Sequence, residues 1–327
     1  MAAPKIVHLK LNRSCNARCS MCNYYDSNVW SQSWLSISAA SALINECAGW
    51  EGVELVMLSG GEPTLHPDLL AIGELLAERK LAYGIATNGA FPKTIDMLVA
   101  RGLSLVHLSL DAPTPEEHNT LRRIPGLFEH NVELMQRLGR KLRIHVTSVV
   151  FPHIYKRLPA LAAILSSLSV QKWSLALVDS FIGIQRTDFL LSIAQMRHFY
   201  ASVIPELRTL VSPTEVSVHP DLLPDDGHED QLLAFSRGQY GENFYREYAC
   251  QSAGQEVVIE PDGFVSLCCK ALGCRESRVG RIGVDGVRAI FTSPSTVSFI
   301  MKMGTLNVCA RCGGFETAKR RQRSNHK

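Results

Sequence analysis

The sequence predicts a parallel α/β fold of six βα units followed by a small appendix of β-hairpin and helix, and three observations lead there. First, β-rich runs alternate with amphipathic stretches of helical period from Ile6 to Val178, the pattern of strands joined by helical crossovers. Second, small and polar residues follow those runs directly, where the C-terminal ends of parallel strands gather on one side and bind ligands. Third, cysteines cluster at the two ends of the chain, the second group around a Pro- and Gly-marked hairpin pattern.

The strands are expected at residues 6–12, 53–59, 82–87, 105–110, 143–150 and 173–178, short runs rich in Val, Ile and Leu bounded by turn residues. Helices are expected between them at 38–48, 67–78, 92–101, 127–138 and 157–165, two of them opened by proline, which suits a first helical position. Residues 179–249 read as a bridging region of helical patches and proline-rich breaks. Residues 256–259, the turn Pro261-Asp262-Gly263 and residues 264–267 then read as a β-hairpin, with a helical stretch over 284–303. The expected organisation is a core over 1–180, a bridge over 181–249, a small domain over 250–315 and a basic, solvated tail over 316–327.

With 327 residues, 46% of them hydrophobic and 20% charged, the chain can bury a large core and does not have the composition of a disordered segment. A formal charge of +3 is too small to point to nucleic acid or an anionic membrane as the main partner. No apolar run approaches the roughly 18 residues of a membrane span, and no secretory h-region opens the chain, so a cytoplasmic location is expected. The ten cysteines are Cys15, Cys19 and Cys22 near the start, Cys47 alone, and Cys250, Cys268, Cys269, Cys274, Cys309 and Cys312 near the finish. In a reducing compartment such clusters argue for metal sites rather than disulfides.

Cys15, Cys19 and Cys22 form Cys-x-x-x-Cys-x-x-Cys in the loop after the first expected strand. Three thiolates on a cubane iron–sulfur cluster leave one iron open to a small molecule; zinc completed by a histidine or a distant cysteine is the alternative. This motif, with Gly60-Gly61-Glu62-Pro63 after the second strand, resembles the radical S-adenosylmethionine (SAM) superfamily over roughly residues 5–178. The resemblance implies a partial (βα)6 TIM-like barrel and a [4Fe–4S] cluster whose open iron is chelated by SAM. It implies reductive cleavage of SAM and hydrogen abstraction by a deoxyadenosyl radical. Gly60, Gly61, Glu62 and Pro63 then belong to the SAM site, with glycines permitting close backbone approach and the carboxylate and carbonyls accepting from an ammonium. Thr87 and Asn88 sit where the family contacts the methionine or ribose region, and Ser109 and Asp111 where it contacts ribose hydroxyls; capping and Asx-turn chemistry is the alternative for each. Met21 stands where the family often carries an aromatic residue near adenine, and offers a polarizable contact instead.

Cys250, the hairpin, Cys268 and the pair Cys309 and Cys312 resemble the SPASM and twitch extensions of this superfamily, and among them the twitch dehydrogenases of aminoglycoside biosynthesis. The resemblance implies one auxiliary [4Fe–4S] cluster closed by those four cysteines, and a twitch form, since no cysteine follows Cys312. Structural zinc also suits four cysteines. Cys269 and Cys274 are left as buried structural thiols or as hydrogen-atom donors to a substrate radical.

A fully ligated auxiliary cluster suits electron transfer, so the leading expectation is oxidation of a secondary alcohol in a small molecule: a sugar, aminocyclitol or nucleoside. Asp179, Asp188, Arg186 and His145 are the candidates for the acid–base group. Epimerisation, with Cys269 or Cys274 returning hydrogen, radical decarboxylation, and ribosomal-peptide maturation are the alternatives. Only fourteen residues precede Cys15, which favours a small-molecule substrate over a peptide. A reductase such as flavodoxin or ferredoxin is the expected partner. From another class, a non-catalytic iron–sulfur carrier or zinc module has no use for an open three-cysteine site on the ligand side of the sheet.

Overall fold

The computed structural model describes residues 2–22, 34–178, 187–219, 248–250, 254–267, 277–283, 285–302 and 318–320. Asp179, Arg186, Cys268, Cys269, Cys274, Cys309 and Cys312 lie outside the described residues.

Strands β1 (Ile6–Asn12), β2 (Leu55–Gly60), β3 (Tyr83–Thr87), β4 (Leu105–Ser109), β5 (Arg143–Val150) and β6 (Lys172–Leu177) pair parallel in chain order. Between them run α1 (Ile37–Ala48), α2 (Leu69–Glu78), α3 (Pro92–Val99), α4 (Pro115–Arg122), α5 (Leu127–Leu138) and α6 (Leu158–Ser166). The six expected strands are present with ends shifted by no more than two residues. Among the described strands the sheet does not close into a ring, which makes it a partial barrel.

The helix-covered face is apolar. Val7, Leu9 and Leu11 of β1, Ile144 and Val146 of β5, and Trp173 and Leu175 of β6 are buried there, against Leu43 and Ile44 of α1, Leu69, Ile72 and Leu76 of α2, and their counterparts on later helices. Cys47 belongs to this core, and burial pushes its thiol up to about 12. The other face is polar, because side chains alternate along a strand. Paired positions across it read His107, His145, Lys172 and Glu215 in one row. The next row reads Ser109, Thr147, Ser174 and Ser217.

The described part of the expected bridge builds more of the sheet. Helices α7 (Ile193–His198) and α8 (Ile204–Leu210), joined by a π-helical turn, lead into β7 (Glu215–His219), which pairs parallel with β6. Beyond β8 (Tyr248–Cys250), the expected hairpin is present as β9 (Glu256–Ile259) and β10 (Phe264–Ser266), which pair antiparallel. It does not stand apart: β9 lies parallel to β1, in the register Ile6 to Glu256 through Leu9 to Ile259, and β11 (Arg278–Arg281) pairs with β10. The helix expected over 284–303 is broken into α9 (Val287–Thr292) and α10 (Pro294–Lys302). Pro294 disfavours a helical residue before it, and Ser293 is extended at φ −64° and ψ 153°. A short strand, β12 (Ala318–Arg320), pairs antiparallel with β8.

Candidate active site

The loop that leaves β1 carries the three cysteines, and the loops after β2, β3 and β4 fix its shape. Gly61 N–H donates to the Asn12 carbonyl at 3.0 Å, Glu62 N–H to the Ser14 carbonyl at 2.8 Å, and Asn12 Nδ2 to the Glu62 carbonyl at 2.9 Å. The two glycines serve this contact. A Cβ on Gly60 would stand 2.6 Å from the Asn12 carbonyl oxygen, and one on Gly61 would strike the Ser14 carbonyl; real Cβ atoms do not approach so closely. The backbone that Gly60 and Gly61 admit is therefore that of the cysteine loop.

Glu62 is 1% exposed and turns its carboxylate into the protein. Oε1 accepts from Thr64 N–H at 3.1 Å, Thr64 Oγ1 at 2.5 Å and Thr87 Oγ1 at 2.7 Å, and Oε2 accepts from Asn88 N–H at 2.8 Å. Burial pushes its pKa up while these hydrogen bonds pull it back. Glu62 thus caps the 3-10 turn Pro63–Leu65 and ties β2 to β3. Asn88 continues the chain of contacts, its Nδ2 donating to Asn16 of the cysteine loop at 2.8 Å. From α5, Asn131 Nδ2 donates to the carbonyls of Asn88 and Ser109, at 2.9 Å each.

The result is a cavity of about 320 Å³ lined by Cys15, Cys19, Met21, Cys22, Gly60, Gly61, Glu62, Thr87, Asn88 and Ser109, together with Lys10, Ser59, His107, Arg122 and Thr147. Two of the expected SAM-site residues are not on its wall. Pro63 is buried at the start of its turn. Asp111, wholly buried, receives Arg122 through two hydrogen bonds, Nε to Oδ2 at 2.6 Å and Nη2 to Oδ1 at 3.0 Å, and Val149 N–H at 2.9 Å. Burial opposes the charge of Asp111, but the facing guanidinium holds its pKa below the usual carboxylate range. Of the acid–base candidates, His145 lies on the polar face beside His107, ring centroids 6.1 Å apart, whereas Asp188 is exposed and off the cavity.

Sequence reasoning missed Lys10, Asn16, His107, Arg122, Asn131 and Thr147. Lys10, His107 and Thr147 do carry a signal: they interrupt parallel strands at every second position, where strands covered on both faces would be apolar throughout. Arg122 ends α4, a helix whose composition is polar almost all round.

Burial pushes the Cys15 thiol up to about 11 and raises Cys19 as well. Such thiols stay protonated and are poor nucleophiles until a metal displaces the proton. Among the described residues, no three His, Cys, Asp or Glu side chains converge on one point that would hold a single ion; the three thiols are spread around a shared cavity.

A family model of the radical SAM superfamily matches residues 9–160, and one of the SPASM iron–sulfur cluster-binding domain matches residues 250–313. The chain belongs to the radical SAM superfamily. Its cofactors are SAM and [4Fe–4S] clusters, and the cavity that the three thiols line fits them. An AdoMet-dependent heme synthase of Methanosarcina barkeri is 29% identical over 150 residues, 44% of this chain and 43% of that protein. A GTP 3',8-cyclase of Chlorobaculum tepidum is 30% identical over 242 residues, 71% of each chain. The match therefore spans under half of the heme synthase. In fold, the chain resembles Streptococcus suis SuiB bound to S-adenosylmethionine, with a TM-score of 0.71 at 16% identity over 97% of this chain and 72% of that one. Among the described residues no helix is long and apolar enough to cross a membrane.

Proposed function

We propose that this radical SAM enzyme abstracts a hydrogen atom from a small polar molecule, of sugar, aminocyclitol or nucleoside size, and oxidises a secondary alcohol in it. The observation that supports a polar substrate is the hydrophilic face of the sheet, where Lys10, His107, Ser109 and Thr147 line the cavity and Ser174 and Ser217 extend the same face. That face is a connected polar surface, with His107 hydrogen-bonded to Thr147 and Ser174 to Ser217, which a polar molecule can join. The matched GTP cyclase, whose name gives it a nucleotide substrate, agrees with a molecule of this size.

Cys15, Cys19 and Cys22 hold the cluster that, with SAM bound, supplies the hydrogen-abstracting radical. Met21, Gly60, Gly61, Thr87, Asn88 and Ser109 shape the wall against which SAM lies. Loss of a hydrogen atom from the carbinol carbon, a proton from the hydroxyl and one further electron converts the alcohol to a ketone. Cys250, Cys268, Cys309 and Cys312, a single auxiliary cluster of the twitch kind, are the proposed destination of that electron. His107 and His145, side by side on the polar face, are the proposed proton acceptors.

The test is anaerobic reconstitution with determination of iron and sulfide, then turnover with SAM, a reductant and a panel of polyols, aminocyclitols and nucleosides. About eight irons per chain, with deuterium moving from the carbinol carbon into deoxyadenosine and an equal amount of ketone formed, supports the reading. Deoxyadenosine with an inverted centre and no ketone replaces it with epimerisation.

A further inference from the structure

Arg122, at the end of α4, faces one of the motif thiols. Its Nη1 lies 4.0 Å from Cys19 Sγ, and the same thiol lies 3.9 Å from the Arg122 carbonyl. A ligating sulfur has no proton to give that carbonyl, which leaves the guanidinium N–H as a donor facing it. The cysteine loop is also hydrogen-bonded to the end of α4 directly, through Ser20 N–H to the Leu121 carbonyl at 2.9 Å. The cation cannot swing away: two of its nitrogens are held by Asp111, which is 0% exposed and anchored by Val149 N–H.

We propose that Arg122 is a positioning residue for the catalytic cluster, a fixed cation against the Cys19 thiolate that favours the reduced cluster, with Asp111 as its orienter and partial counterweight. Cluster potentials respond to nearby charge, hydrogen bonds to sulfur and solvent exposure, and the pair places two of these at one ligand. Reduction adds a negative charge to the cluster, so the nearer cation raises its potential and the more distant carboxylate lowers it. The inference rests on the cluster assignment of Cys15, Cys19 and Cys22.

The full-length protein, reconstituted without oxygen, is titrated potentiometrically while EPR follows the part of the reduced signal that SAM perturbs, which belongs to the open-site cluster. Arg122→Gln is expected to move that midpoint to a more negative potential and Asp111→Asn to a less negative one, with Arg122→Lys between Arg122→Gln and the natural protein. Opposite signs are a signature that general loosening of the site does not produce. An unmoved midpoint in Arg122→Gln, or movement of both variants in one direction, overturns the proposal. Where Arg122→Gln fails to retain iron, Asp111→Asn decides: a less negative midpoint supports the role of the pair, and any other result overturns it. Absence of a SAM-perturbed signal in the natural protein counts instead against the cluster assignment.

Discussion

Arg13 and Glu260 form an ion pair of 2.5 Å with side chains only 4% and 2% exposed, joining the loop of Cys15 to the hairpin that precedes Cys268. Asp262 and Arg278 extend it, Asp262 at 3.1 Å from Arg13 and Arg278 at 3.2 Å from Glu260. Removing one partner of a buried pair costs about 3–5 kcal/mol, since the other is left charged and desolvated. Arg13→Met is expected to fall at the lower end, because Arg278 still faces Glu260, and to lower iron retained by the N-terminal cysteines. Chemical denaturation and iron determination on the reconstituted variant check both.

Replacement of Cys15, Cys19 or Cys22 by alanine is expected to abolish deoxyadenosine formation and to lower iron from about eight to about four per chain. Cys47→Ala provides the contrast. It removes one buried sulfur from the core, costs about 1 kcal/mol, and leaves SAM cleavage intact. Normal cleavage in any of the three motif variants would refute the assignment.

Gly61→Ala is expected to displace the cysteine loop, because its new methyl meets the Ser14 carbonyl rather than a side chain that could move. A loss of at least about 2 kcal/mol follows from such overpacking, together with reduced iron retention and near-native far-UV circular dichroism. Calorimetry alongside iron analysis separates these effects.

Glu46 of α1 accepts from the N–H groups of Val287 and Arg288 at 2.8 and 2.7 Å, capping α9 from another element. Glu46→Ala removes both acceptors at the helix start, at a cost of about 1–2 kcal/mol. Faster hydrogen exchange at those two amides, with little change at β4 and β5, is the expected readout.

His118 is wholly buried, and its Nδ1 accepts from Asp111 N–H at 3.1 Å, which requires the neutral ring. Burial lowers its pKa to about 4, with Asp111 pulling the other way and Arg122 adding to the depression. The unfolded chain therefore binds a proton at this residue below about 6.5 that the folded chain refuses. Stability falls as pH drops from about 6.5 toward 4, by on the order of 3 kcal/mol from this group. Denaturation midpoints across that range, compared with His118→Gln, should show a shallower slope in the variant.

The six strands and five of the helices between them were readable because each is a run of apolar residues with one clear period, closed by glycine, proline or a polar turn. The cysteine motif was readable because its spacing is local. What escaped was of two kinds. α4 has no apolar stripe, so the helix that carries His118 and Arg122 gave no periodic signal, although Thr114 and Glu117 mark its start with a cap. Arg13 with Glu260, Glu46 with Val287, and Asn131 with the ends of β3 and β4 are long-range pairs, which pattern along a chain does not encode. Asp111 shows the difference most clearly: a carboxylate after a strand suggests a ribose contact, and only the fold reveals the arginine that occupies it.

The parallel seating of β9 beside β1 has a consequence for how the protein must be made. His8 and Glu256, 248 positions apart, meet across that seam, so the amino-terminal strand emerges from the ribosome long before its second neighbour exists. Until then one flank of an apolar strand lies bare, the kind of surface that recruits other nascent chains. Shortened versions ending before β9 should accumulate as inclusion bodies, and any attempt to isolate the amino-terminal half will need a substitute strand on that flank.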